Sequence, residues 1–537
     1  MRDQRSSAGF GELFALAWRR DRILIPATGL ALVVIAVSTA KATLDLYPND
    51  AAVTKGLADI LSAPAVVALY GPVVSGSADS LAVYKSLVLG AILTSILAFV
   101  VVRRHTRTEE EAGRLELLGA GVVGRRAPLN AAAALAALAV TVPSLLTVPL
   151  LIATGLDPVG SLACAASWIT AGLTMIGVTA VAAQLTTGAR ACGALSLGVL
   201  AVTFALRARG DTAAIESPPG GTRWLTWLSP IGWAEKVEPF GSNRFWIVLL
   251  GAACAAGGLL LAYWLLDRRD LGAGIIRERE GRSEASRWLS SPEALSVRLA
   301  RGSLLGWTAG FVFLGAVLGS IAGSVPQMLD RPELADLLRQ IGGDRESLID
   351  VYFAAELKMA VVLSAAAGIQ TFLHARGEES TGRAELLLAR PLSRGRWLGS
   401  HLLVALLTPV WLLLVVGATA GALASGAGMP SAATLAWAAV SSAPSAWLCV
   451  AAALLLFAAL PARTPFVWGF FGLAFTVAEF GELIGLPRWS IAWSPLDHIQ
   501  PLPGGQVDVA MLAWTCGATA VAVALGTLQF RRRDIPA

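Results

Sequence analysis

Charged side chains are scarce in this chain, so those that interrupt apolar runs are the first places to look for chemistry. Glu479 and Glu482 stand in "FTVAEFGELIG", and Arg207 and Arg209 stand in "FALRARG". An ionisable group at membrane depth is costly and faces protein or water, where it can guide a polar or charged part of a cargo. The two stretches fall at similar depths of comparable apolar runs. This predicts that acids of one part of the chain face bases of another across the exit of a shared path. Phe475 and Thr476, beside Glu479, are further lining candidates for an apolar substrate. Lys85, Glu356 and Lys358 begin apolar runs and read as interfacial anchors.

Other chemistry is missing. The five cysteines are scattered without C-x-x-C spacing, and the four histidines form no ligand set, so no metal site is expected. No Ser-His-Asp or paired-carboxylate arrangement stands out. No G-x-x-x-x-G-K-[ST] occurs, so the chain has no sequence for cradling nucleotide phosphates.

One charged dozen is written twice. "RTEEEAGRLELL" starts at Arg107 and "RGEESTGRAELL" at Arg376. With Gly113 laid on Gly382, Glu109 meets Glu378, Glu110 meets Glu379, Arg114 meets Arg383, and Glu116 meets Glu385. Local physics predicts a short surface helix. Thr108 and Glu111 have capping-box spacing, and Glu109, Glu110 and Glu111 would sit at the positive helix end. Glu110 to Arg114 and Glu379 to Arg383 have i,i+4 spacing in the favourable order, about 0.2–0.5 kcal/mol each. The second copy lacks the box, because Ala384 stands three residues after Thr381, where an acid would be needed.

These loops must be positioned by membrane helices. The 537 residues are 55% hydrophobic and only 15% charged, against about a quarter charged in soluble proteins. Runs of about twenty apolar residues predict about twelve spans: 22–41, 83–102, 128–154, 160–185, 190–207, 245–266, 304–325, 355–374, 397–424, 431–460, 465–486 and 508–530. No cleaved leader is expected, because the first apolar run continues as a full span. Short basic loops follow the even-numbered spans and precede the first, so both termini are expected to be cytoplasmic in the cell membrane. The net charge of +5 therefore reads as membrane orientation, and nucleic acid is not an expected partner.

The polar stretch 267–291 divides the chain into 1–266 and 292–537. "DRRDL" at 267–271 closes the first part as "RRRDI" at 531–535 closes the second, and "WLSPIGW" and "WSPLDHIQPLPGG" precede the last span of each. Each part opens with an amphipathic basic segment, 11–22 and 292–303. The expected fold is an all-α polytopic membrane protein of two homologous six-span halves. Gly315, Gly319 and Gly323, and Gly417 with Gly421, have spacing for close helix packing.

On the motifs "HTRTEEEAGRLELLGAG" and "HARGEESTGRAELLLARPLSRGRW", with the amphipathic openings and Trp-Ser-Pro stretches, the whole chain resembles the permease component of type-2 ABC exporters. It is most similar to the fused actinobacterial permeases for polyketide (tetronasin-type) antibiotics. That resemblance implies coupling helices at Glu109–Glu111, Gly113, Arg114 and Glu116, and at Glu378, Glu379, Gly382, Arg383 and Glu385. They would engage two copies of a separate cytoplasmic ATPase, which would bind ATP and Mg. It implies connecting helices at 11–22 and 292–303, and partly re-entrant external segments near 227–240 and 493–505. It also raises Lys358 and Glu479 as substrate-path residues, and implies outward movement of amphiphilic drugs, antibiotics or lipids. The chain itself would then be a transport subunit rather than an enzyme.

The main rival is a proton-coupled twelve-span transporter. "GAGVVGRR" partly matches that class's loop after the second span, but it lacks the Asp. A lipid-modifying enzyme would need a catalytic cluster at one interface, which cannot be assembled here.

Overall fold

A computed structural model describes residues 7–61, 64–119, 121–215, 221–276, 284–322, 345–424, 429–481 and 486–533. Among them are helices and turns and no strand. Eleven of the described helical segments are long and apolar enough to cross a membrane, so the protein is an all-α polytopic membrane protein. By contact it divides into two compact units, Met1–Gly281 and Arg282–Ala537.

In the first unit an amphipathic helix, Phe10–Asp21, precedes spans Leu24–Leu46, Ala78–His105, Ala127–Ala153, Pro158–Leu185, Ala189–Ile215 and Ile247–Leu266. The second and fourth spans are the most enclosed. Small residues allow this: Trp168 is fully buried and donates its indole N–H to the Leu87 carbonyl at 3.0 Å, filling space that Gly90 leaves open. Hydroxyls such as Thr94 and Ser95 bond carbonyls one turn back, which satisfies them inside the helix. Spans one and six turn leucines such as Leu30 and Leu249 outward, where lipid is their natural solvent.

In the second unit the spans are Pro292–Ala322, Arg345–Ser380, Arg394–Leu423, Ala432–Ala459 and Val509–Arg532. Gly315 and Gly319 lie against the backbone of Val416 and Ala420, while Gly417 and Gly421 lie against residues 431–436. Three segments ride directly on one another there, as their glycine spacing predicts. Gly323 lies outside the described residues.

The structure corrects several expectations. The segment predicted to span 465–486 is a 14-residue helix, Val467–Phe480, entered through a 3-10 turn at Pro461–Phe466. At 1.5 Å per residue it reaches only about 21 Å, because two prolines shape its entry and Gly481 sits in tight contact with Ile491. The fifth span runs to Ile215, past its expected end at 207. The charges that suggested an end, Arg207 and Asp211, are buried and face each other one turn apart. The expected connecting helix at 292–303 is not separate from the span after it: Pro292–Ala322 is one helix. In the first unit the same junction breaks at Arg22 and Ile23. Two unpredicted helices, Asp50–Leu61 and Pro64–Tyr70, fill part of the long loop after the first span.

Candidate functional site

The doubled loops are built alike around a left-handed glycine. In the first, the helix Arg107–Glu111 stops, Gly113 takes φ 71°, and a second short helix, Arg114–Gly119, sets off. In the second, Arg345–Ser380 stops, Gly382 takes φ 71°, and Arg383–Leu388 follows. Neither expected i,i+4 pair forms, since this break removes the continuous helix they need. Arg114 instead forks onto Glu109 at 2.7 and 2.9 Å. The capping box is also absent. Thr108 lies within its helix, and Glu111 accepts the backbone N–H of Ala189, the first residue of the fifth span, at 2.8 Å.

The acids before each glycine point inward. Glu110 is buried, and both of its oxygens take Arg269, at 2.5 and 2.8 Å. It also accepts from Arg107 at 2.6 Å and from the Gly272 N–H at 2.7 Å. Glu379, likewise buried, takes Arg533 on both oxygens, at 2.5 and 2.6 Å. Arg107, with no exposed surface, donates to the carbonyls of Thr186 and Ala273, and Arg376 donates to that of Pro461 at 3.3 Å. Glu109 meets Arg20 of the opening helix at 2.6 Å, whereas Glu378 accepts from Trp397 and His401, both at 3.2 Å. Asp21, fully buried, ties that opening helix to His105 at 2.6 Å and Arg104 at 3.0 Å.

Beyond each glycine the residues turn outward. Arg114, Glu116, Arg383 and Glu385 are exposed. At matching positions Leu117 is 79% exposed and Leu386 is 74% exposed. Each loop therefore has a buried, charge-paired root and an exposed tip carrying a base, an acid and a leucine. Four expected contact acids, Glu109, Glu110, Glu378 and Glu379, belong to the root. Arg269 and Arg533 were missed as site residues. Their signal was present in the matching "DRRDL" and "RRRDI", read only as marks of the ends of the two parts.

About 30 Å from Glu378 along the same helix, at 1.5 Å per residue, Lys358 meets Glu479 at 2.8 Å. Lys358 also borders a cavity of about 790 Å³ lined by Asp350, Val351, Asp497, Ile499 and Gln500. Thr476 spends its hydroxyl on the carbonyl of Gly472 at 2.9 Å, and Phe475 packs on the core. Glu482 lies outside the described residues. Glu479 and Arg207, expected to face each other, each have a partner within their own unit. Arg207, fully buried, donates to Glu235 at 2.6 Å and to the carbonyls of Ala68 and Leu69, and faces Asp211 at 3.5 Å. Glu235 was also missed, although it lies in the Trp-x-Ser-Pro stretch. One guanidinium faces two buried carboxylates here. Burial pushes the Glu235 carboxyl up to about 8, with Arg207 opposing the rise and Asp211 adding to it.

Residues 289–531 match the family model described as "Multidrug efflux system permease Rv1217c, C-terminal domain". The chain is 36% identical over 531 residues to the multidrug efflux system permease protein Rv1217c of Mycobacterium tuberculosis (strain ATCC 25618 / H37Rv), covering 97% of this chain and 94% of that protein. With its eleven described spans and likeness along nearly its whole length, this chain belongs to the family of multidrug efflux system permeases typified by Rv1217c.

Proposed function

We propose that this permease is the membrane subunit of an ATP-driven ABC exporter that moves hydrophobic or amphiphilic drugs, antibiotics or lipids out of the cell. Two copies of a cytoplasmic ABC ATPase dock on the two loop tips and bind the ATP and Mg. Both termini and both loops face the cytoplasm, because the arginine-rich loops lie at the ends that the positive-inside rule retains. The observation that carries the reading is the repeated root and tip. A loop needed only for solubility has no reason to bury its acids against arginines while presenting the same base, acid and leucine twice. An exposed leucine ringed by charge suits a small apolar pocket with a polar rim on a partner.

Purification of the tagged chain from its native membrane tests this reading. An ATPase should copurify at about two copies per permease. Leu117→Asp with Leu386→Asp should release it without changing the melting temperature. Recovery of the permease alone, or of an ATPase indifferent to both substitutions, contradicts the docking.

One observation favours a second reading, proton-coupled transport. The buried group of Arg207, Asp211 and Glu235 has room for a proton near neutral pH. Transport that survives loss of the proton gradient eliminates it.

A further inference from the structure

The buried roots of the two loops contain a contact whose position suggests more than anchoring. Glu110 joins the first loop to Arg269, three residues beyond the last span of its unit, Ile247–Leu266. Glu379 joins the second loop to Arg533, the residue that caps the last span Val509–Arg532. Each acid lies three residues before the left-handed glycine that starts the exposed tip.

The surroundings of the two pairs have diverged, yet the pairs have not. The neighbouring acid, Glu109, meets Arg20 and Arg114, but its counterpart Glu378 meets Trp397 and His401. His105 meets an aspartate, whereas His374 has a hydrogen bond to the carbonyl of Thr371 in its own helix. Arg269 is steadied by Gln184 at 2.8 Å. Arg533 is steadied differently, by the carbonyl of Phe457 at 2.7 Å and by the rings of Phe457 and Phe530, 4.8 and 5.0 Å from its guanidinium. Different scaffolds thus hold an arginine at the same end of each unit's last span on both oxygens of the loop acid, through two nitrogens of Arg269 in the first unit and through one nitrogen of Arg533 in the second. Both pairs are short, charge-assisted and largely buried, so each resists stretching, and the two-nitrogen fork of Arg269 resists rotation as well.

We propose that Glu110–Arg269 and Glu379–Arg533 are the transmission links of the transporter, carrying displacement of each loop tip to the last span of its unit. This rests on the reading of the loops as ATPase docking sites. The four residues are positioning residues: they touch neither nucleotide nor cargo. A tip on a glycine pivot moves a distant span only through contacts at its root; the neighbouring acids reach different elements in the two units, and the contact that both units share is the one to the last span. The second anchor, Arg107 or Arg376, reaches the chain just after the fourth span of each unit and gives the root a fixed point to move against.

The test uses the full chain with its copurified ATPase in proteoliposomes, with ethidium as the transported probe. The variants are Arg269→Met, Arg533→Met, and the exchange Glu379→Arg with Arg533→Glu. The exchange is made in the second unit because Glu110 also touches Arg107, which would repel an arginine there. Each preparation is first checked for monodispersity and for retained ATPase. We expect each single variant to keep hydrolysing ATP while moving less ethidium, raising ATP spent per ethidium at least fivefold, and the exchange to recover most of the coupling. An unchanged ratio in both single variants, or an exchange as uncoupled as Arg533→Met, overturns the proposal. A wild-type complex that moves ethidium without hydrolysing ATP would instead overturn the docking reading.

Discussion

Glu235 is where a single proton matters. Its carboxyl and that of Asp211 share one guanidinium, Arg207, in a site closed to water. Below the ordinary value of 4.5 the carboxyl holds its proton both folded and unfolded. As pH rises the unfolded chain releases the proton while the folded site keeps it, so this group's stability contribution declines until pH passes about 8. Melting temperatures of the purified chain between pH 5 and 9 should therefore fall more steeply for the native protein than for Glu235→Gln. Parallel curves would mean that Glu235 is ionised throughout. The second unit carries Gln500 in the corresponding Trp-Ser-Pro stretch, where the amide bonds the backbone of Asp508 on both sides. A neutral side chain thus meets the packing need at the related position.

At the scale of elements, the glycines set the loop geometry. A φ of 71° disfavours an L side chain by about 1–2 kcal/mol, and a Cβ added at Gly113 or Gly382 would meet nothing within 4 Å. The expected outcome of Gly113→Ala or Gly382→Ala is a loss of about 1 kcal/mol from backbone strain alone, with Asn at the same positions costing less. Chemical denaturation would check this, and identical, negligible losses for Ala and Asn would contradict it. The pairing of Gly113 with Gly382 was legible from the repeated order of Glu, Gly, Arg and Glu, and glycine is the residue that takes a left-handed turn without strain. The partners of the neighbouring acids were not legible. The capping box at Thr108 and the pair Glu110–Arg114 are local patterns. They lost to long-range contacts, with Arg269 and with the start of the fifth span, that no window of adjacent residues contains. Most spans were likewise legible from unbroken apolar runs. The short helix Val467–Phe480 was not, because hydropathy counts Pro465 and Gly481 as neighbours of a greasy run rather than as its boundaries.

For the whole molecule, two compact units each carry a loop with a buried root and an exposed tip, and the sequence contains no G-x-x-x-x-G-K-[ST] pattern. In the proposed reading energy for transport arrives through the tips, and in the rival reading through an ion gradient. The two routes make opposite demands on one preparation. Inverted membrane vesicles containing the permease and its copurifying ATPase are given ATP, and ethidium uptake is followed with a protonophore present and, separately, with hydrolysis blocked by vanadate. The account predicts that uptake continues with the protonophore and stops with vanadate. Uptake that stops with the protonophore and continues with vanadate would contradict it.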